Sequence, residues 1–284
     1  MIPAAFDYAA PATLDEALRL LRRHRHAKVM AGGQSLLSLM KLRVASPSFI
    51  IDLRRIGRLA YVKEDKGAIA VGAMTTHAAL AAAALVRRRL PALAQAAEAI
   101  GDLQVRNVGT IGGSLAHADP AADYPAVLLA CDGVVVVRGP RGTRKVPAGQ
   151  WFTGLFATAL RSGEIVVEVQ FPILPAGTRS AYVKMKHPAS GFAVVGAAAV
   201  VRLGRDGRVA DVRLAFTGAA SHAFRARAAE EALRGQEPTE AAVRAAMARA
   251  PEGVDLLEDL VADAAYRAQL VRVYGARAVL AALG

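Results

Sequence analysis

Apolar positions change their period several times along the chain, and each change predicts an element. Leu14, Ala17, Leu18 and Leu21 recur at i, i+3, i+4 and i+7, the stripe of an amphipathic helix. Thr13 stands before it with Glu16 three residues on, the pattern of a capping box. Residues 28–31 read as a short strand ended by Gly32-Gly33, 36–40 as a helix, and 49–53 as a strand after the breaker Ser46-Pro47. Residues 68–73 read as a strand, Thr75-Thr76 as the cap of a short helix reaching Ala84, and 91–100 as a helix. Residues 101–125 are glycine-rich and lose periodicity. Regular structure resumes at 127–130 and 134–137 around the turn Asp132-Gly133, and 164–171 form a strand bounded by Ser162-Gly163 and Pro172.

Beyond 172–177 the texture differs. Three strands follow, at 181–186, 192–203 and 209–217, with Gly204-Arg205-Asp206-Gly207 as the hairpin turn between the last two. Helical patterns then occupy 228–233, 240–250 and 266–283. The pattern is α+β: a mixed front region, residues 1–174, and a back region, residues 175–284, made of an antiparallel meander and helices.

Composition narrows the function. The 284 residues are 54% hydrophobic and 21% charged, enough to bury a core and too apolar for disorder. Basic residues exceed acidic ones by 12, which raises nucleic acid, an anionic cofactor or an acidic partner. The arginine clusters Arg22-Arg23, Arg54-Arg55 and Arg87-Arg88-Arg89 have few aromatics among them, so a base-stacking platform is not supported and no nucleic-acid partner is expected. The single cysteine, Cys131, excludes an intrachain disulfide, a cysteine zinc site and an iron–sulfur cluster held by this chain alone. It follows apolar 127–130 and reads as a small buried hydrophobe. The six histidines form no metal pair, and no nucleophile motif is present, so neither a metal nor a catalytic residue is assigned. No apolar run nears the roughly 20 residues of a spanning helix, and residues 1–7 lack the pattern of a signal peptide; a cytoplasmic protein is expected.

Two glycine segments carry the candidate chemistry. Ala31-Gly32-Gly33-Gln34-Ser35-Leu36 lies between a strand and a helix, where paired glycines let a ligand approach the backbone and leave N–H groups available at a helix N-terminus. An ordinary tight turn is the alternative. Gly109-Thr110-Ile111-Gly112-Gly113-Ser114-Leu115 repeats the ingredients. Neither is a G-x-G-x-x-G fingerprint nor a P-loop. Two such segments in one domain suggest one long, doubly charged ligand held between them, and a dinucleotide suits that better than a mononucleotide.

On these residues the sequence resembles the FAD-binding medium subunit of the molybdenum hydroxylases, the family of aerobic carbon monoxide dehydrogenase and xanthine dehydrogenase, and is most similar to the former type. The likeness runs nearly end to end and includes Phe6-Asp7-Tyr8, Gly72-Ala73-Met74-Thr75-Thr76, Gly163-Glu164-Ile165 and residues 184–192. It implies a PCMH/VAO-like FAD domain of two α/β subdomains, then a three-stranded antiparallel sheet with a helical bundle. It implies that Val29, Met30, Ala31, Gly32, Gly33, Gln34, Ser35 and Leu36 wrap the adenosine and diphosphate, while Thr110, Ile111, Gly112, Gly113 and Ser114 clamp the diphosphate from the other side. Ile100 would pack on the flavin, Asp123 would accept a hydrogen bond from the cofactor's polar chain, and Val166 and Lys184 would sit near the isoalloxazine. Phe192 would shield the ring. Relatives often carry Asn at the position of Ser114, and an acidic residue followed by an aromatic one where Gly191-Phe192 stands here.

The resemblance also implies partners: a small subunit with two [2Fe-2S] clusters and a large molybdopterin subunit, as a dimer of heterotrimers, with this chain passing electrons to an external acceptor. Two other classes stay open, a stand-alone NAD(P)H-dependent reductase of the enolpyruvyl reductase type and a non-enzymatic basic binding module. For Asp123 the alternative is a local turn cap before Pro125. For Lys184, which alternates with Lys186 on a strand, it is a solvated basic face.

Overall fold

The computed structural model describes residues 2–284; Met1, the first residue of the stretch read for a signal peptide, lies outside them. Three larger sheets organise the described residues, beside a two-stranded ribbon of Phe152–Gly154 and Ala157–Thr158. The first is small and parallel, with Phe49–Asp52 between Asp7–Ala9 and Ala27–Met30. The helix Leu14–Arg23 covers it, burying Ala17 and Leu18. Thr13 Oγ1 caps the Glu16 N–H at 3.3 Å, but Glu16 reaches back to the Ala12 N–H rather than to that of Thr13, so the box closes one residue early.

The second sheet has five antiparallel strands in the order Val62–Asp65, Ala68–Gly72, Ile165–Pro172, Val134–Gly139, Gly142–Pro147. A bulge at Val167 turns its carbonyl toward the Ala73 N–H, at 3.0 Å. Helices Pro91–Ala99, Ile111–His117 and Tyr124–Ala130 share its core. Trp151, wholly buried, donates from Nε1 to the Leu115 carbonyl at 2.9 Å and pins the end of one of these helices.

Residues 101–125 hold two complete helices, Leu103–Val108 and Ile111–His117, and the start of a third at Tyr124. Gly109 and Gly112 read as breakers but are explained by packing, as the site shows below, whereas Gly101 turns the chain at a φ of +47°.

The third sheet is antiparallel. Its three long strands are Thr178–Lys186, Ala193–Leu203 and Val209–Thr217, and the two-residue strand Phe224–Arg225 extends its edge. Helices Arg227–Leu233, Glu240–Met247 and Ala264–Leu283 cover one face; Pro91–Ala99 and Tyr124–Ala130 cover the other. The middle strand is therefore buried on both faces, which is why residues 193–201 read as an unbroken apolar run instead of an alternating one.

Besides these two helices, the front and back regions meet along residues 120–123. Gly218 N–H donates to the Pro120 carbonyl at 2.7 Å, Ala193 N–H to Ala121 at 3.2 Å, and Thr217 Oγ1 lies 2.7 Å from both the Pro120 and Ala122 carbonyls. Among the described residues no helix is long and apolar enough to cross a membrane.

Candidate functional site

The loop after strand Ala27–Met30 turns at Gly33, whose φ of +73° favours glycine. The helix Leu36–Lys41 follows, and Ser35, at its N-cap, makes no capping bond with its hydroxyl. No backbone or side-chain acceptor among the described residues receives the N–H groups of Gly32, Gly33, Gln34, Ser35 or Leu36. Five consecutive donors at the start of a helix form a cradle for an anion. Of the expected residues before it, Val29 packs with the first sheet's core and Met30 is buried with Met40 and Ile50.

The second segment stands against this loop. A Cβ built at Gly32 would collide with the Val108 carbonyl oxygen, and one at Gly113 would lie 3.4 Å from Ala31 Cβ. Four of its own donors are occupied. Ile111 N–H donates to Thr75 O (3.1 Å), Gly112 to Ala73 O (2.9 Å), Gly113 to Thr110 Oγ1 (3.1 Å) and Ser114 to Thr110 O (3.0 Å). Gly112 is glycine because its Cβ would sit 2.7 Å from Ala73 O. Gly109 is glycine because its Cβ would sit 2.6 Å from His77 Nε2. What the segment can still offer a ligand is the Thr110 N–H and the Thr110 and Ser114 hydroxyls, on a rigid wall. Beneath it His77, 5% exposed, pairs through Nδ1 with Tyr124 Oη at 2.8 Å. Burial, with the Arg106 charge adding to it, pushes the imidazole down to about 4.

Helix Leu103–Val108 links this cradle to the other predicted residues. Asp102 caps it, accepting from the Val105 N–H at 2.8 Å, and Arg106 reaches back to the Ile100 and Gly101 carbonyls at 2.9 and 3.3 Å. Ile100 is half-buried and packs on the same core as Val166, which is 6% exposed. Gly191 rests on Gly101: its built Cβ lies 3.6 Å from Gly101 Cα. Phe192, next in sequence, is 45% exposed.

Asp123 does not cap the turn before Pro125; its side chain makes no capping bond. It accepts from Tyr182 Oη at 2.6 Å and from Lys184 Nζ at 2.8 Å. Both charged side chains are 5% exposed, so Lys184 belongs to no solvated basic face, while Lys186 stays exposed. Burial raises the Asp123 carboxyl, and the Lys184 ammonium and Tyr182 hydroxyl pull it back. Tyr182 went unassigned in the sequence; the signal was its strand register, two residues before Lys184 and on the same face. Cys131 is fully buried and its thiol is pushed up to about 12 by burial. Among the described residues no group of His, Cys, Asp and Glu is arranged to hold a metal.

These donors suit a dinucleotide: an anion cradle with unpartnered N–H groups at one end and a buried polar cluster beside apolar Ile100, Val166 and Phe192 at the other. Comparison with known proteins agrees. Residues 4–174 match the family described as the FAD binding domain in molybdopterin dehydrogenase, and residues 180–282 match the CO dehydrogenase flavoprotein C-terminal domain. The chain belongs to this family of FAD-binding flavoprotein subunits of molybdenum-containing dehydrogenases. It is 40% identical to the carbon monoxide dehydrogenase medium chain of Hydrogenophaga pseudoflava, over 99% of this chain and 98% of that one. It is 38% identical to the 6-hydroxypseudooxynicotine dehydrogenase complex subunit alpha of Paenarthrobacter nicotinovorans, over 100% and 96%. Among solved structures it is similar to the Hydrogenophaga pseudoflava carbon monoxide dehydrogenase lacking the Mo-pyranopterin moiety, with a TM-score of 0.95, 43% identity and coverage of 100% and 99%. The relatives are chains of multi-subunit oxidoreductases, and this chain is such a subunit, with FAD as its cofactor and partner subunits beside it.

Proposed function

We propose that this chain holds one FAD non-covalently and relays electrons from the [2Fe-2S] clusters of a small partner subunit to an external acceptor. The large molybdopterin subunit would bind the substrate, in a cytoplasmic dimer of heterotrimers. The observation that carries the reading is the run of five unpartnered N–H groups from Gly32 to Leu36. They would hold the diphosphate by charge-assisted hydrogen bonds. Thr110 and Ser114 would add hydroxyl donors from the facing wall, with Ile111, Gly112 and Gly113 fixing its shape. Asp123 and Lys184 would orient the polar chain, and Ile100, Val166 and Phe192 would bound the ring and exclude water. Residues 1–174 would form the FAD-binding unit and 175–284 the C-terminal unit. When bound, the flavin supplies an exchange between one-electron and two-electron chemistry. The single, buried Cys131 leaves the clusters to a partner.

The test starts with the purified chain. It should take up one equivalent of FAD, and acid precipitation should leave the flavin in the supernatant. NADPH alone should leave it oxidised; bleaching would instead mark a stand-alone reductase. A chain that binds no flavin would favour a basic binding module. Co-expression with the two partner subunits should give a complex in which substrate bleaches cluster and flavin absorbance together. Substrate oxidation by the isolated chain at the rate of the complex would sink the relay.

A further inference from the structure

Lys184 has a second partner that the sequence did not suggest. Besides Asp123, its Nζ donates to the Gly191 carbonyl at 2.9 Å. Gly191 closes a hairpin between the two long strands Thr178–Lys186 and Ala193–Leu203. In it His187 N–H donates to the Phe192 carbonyl (2.8 Å), Gly191 N–H to the His187 carbonyl (3.0 Å), and Ser190 N–H to His187 Nδ1 (3.1 Å). Pro188, Ala189 and Ser190 are exposed, and Phe192 is nearly half exposed. The hairpin therefore has little apolar anchorage of its own. Its side-chain hydrogen bond to the interior comes from the Lys184 ammonium, which has three donors and so can serve Asp123 and Gly191 at once. Gly191 also lies on Gly101, whose carbonyl Arg106 holds. One lysine thus joins Asp123, on the front region, to the backbone that aims Phe192, on the back region.

We propose that Lys184 is a positioning residue: through the Gly191 carbonyl its buried ammonium fixes the 187–192 hairpin, and so holds the Phe192 ring in register with Asp123 at the flavin face. This rests on the FAD reading above. The lysine acts on access to the ring through the hairpin, and not through its charge alone.

The two routes separate experimentally. Lys184→Met and Asp123→Asn change the local charge in opposite directions. A purely electrostatic role moves the flavin midpoint potential oppositely in the two variants and leaves the hairpin unchanged. In the positioning role, Lys184→Met speeds hydrogen exchange at the Gly191 and His187 amides about tenfold. It also raises iodide quenching of the bound flavin's fluorescence severalfold, whereas Asp123→Asn, which keeps the ammonium on Gly191, does neither. Wild-type exchange and quenching in Lys184→Met overturn the proposal. If that variant does not fold, the neutral double variant Asp123→Asn/Lys184→Met gives the same readouts without a stranded charge. The wild-type chain adds an independent check: its Gly191 amide must be protected even before FAD is added, and rapid exchange there overturns the tether. A wild-type chain that binds no FAD sinks the flavin reading, while the exchange measurements still report on the hairpin.

Discussion

The Gly32-Gly33 loop and the Gly112-Gly113 segment share their ingredients and use them in opposite ways. In the first, the chain leaves a strand, turns through positive φ at Gly33 and enters a helix with five N–H groups unpartnered. In the second, the helix has already begun at Ile111, so the glycines lie inside its first turn and their N–H groups serve Ala73 and Thr110. One glycine pair holds open a space that a ligand can fill. The other, at Gly112, lets a helix press against the Ala73 backbone. A glycine pair in sequence says that backbone must be approached closely; the tertiary neighbours decide by what.

The largest expected effect breaks the second segment. Gly112→Val would drive side-chain atoms into the Ala73 backbone, where nothing flexible can yield. A loss of about 3 kcal/mol or more in chemical denaturation is expected. A wild-type midpoint would mean that the helix does not dock on Ala73. An effect of similar size belongs to His77 beneath the same segment. Its folded pKa of about 4 lies below the unfolded value of 6.5, so the unfolded chain binds the proton more readily. Stability is fully present above pH 6.5 and falls as pH drops toward 4, by about 3 kcal/mol in all. His77→Gln should flatten that slope in denaturation curves taken between pH 4 and 7; an unchanged slope would place the titration elsewhere.

Substitution in the first loop should separate binding from folding. Gly33→Ala puts a Cβ at positive φ, at a cost of about 1 kcal/mol in stability. FAD affinity should fall more, by about tenfold or beyond, as the N–H row is re-aimed. Equal losses in the two assays would remove the distinction between the segments. The smallest effects belong to the hydroxyls. Thr110→Val loses the cap on Gly113, for about 1 kcal/mol of stability. Ser114→Ala should leave stability within about 0.5 kcal/mol and weaken FAD about threefold to tenfold in titration. Unchanged affinity would show that the second segment offers no direct contact.

Elements with a local signature were legible in sequence. The stripe after Thr13, the hairpin at Gly204–Gly207 and the long strands of the third sheet follow from periodicity and turn chemistry. Leu103–Val108 and Ile111–His117 were hidden because a breaker residue was doing a packing job. The edge strand Gly142–Pro147 was hidden because Thr143 and Lys145 are exposed while the inward position beside Val146 is filled by Arg144, paired with Glu164, leaving no apolar alternation to read. For the site, the glycine segments were legible as ligand-facing backbone. Which N–H groups remain unpartnered was not, since it depends on Ala73 and Thr75, nearly forty residues earlier in the chain. Nor was the burial of Lys184, whose counter-ion is 61 residues away and whose strand neighbour Lys186 is exposed.

The seam at residues 120–123 has a consequence for how such a chain can evolve. Its acceptors are main-chain carbonyls of Pro120, Ala121 and Ala122, and two of its donors are main-chain amides, of Ala193 and Gly218. Mutation replaces side chains and leaves those groups in place. Among the bonded groups Thr217 and Gly218 are held to type, the latter because φ is +81° and a Cβ would meet the Ala193 and Val194 carbonyls at 2.6 and 2.7 Å. The bonds that join the two regions along 120–122 therefore depend on backbone geometry more than on the side chains that flank them.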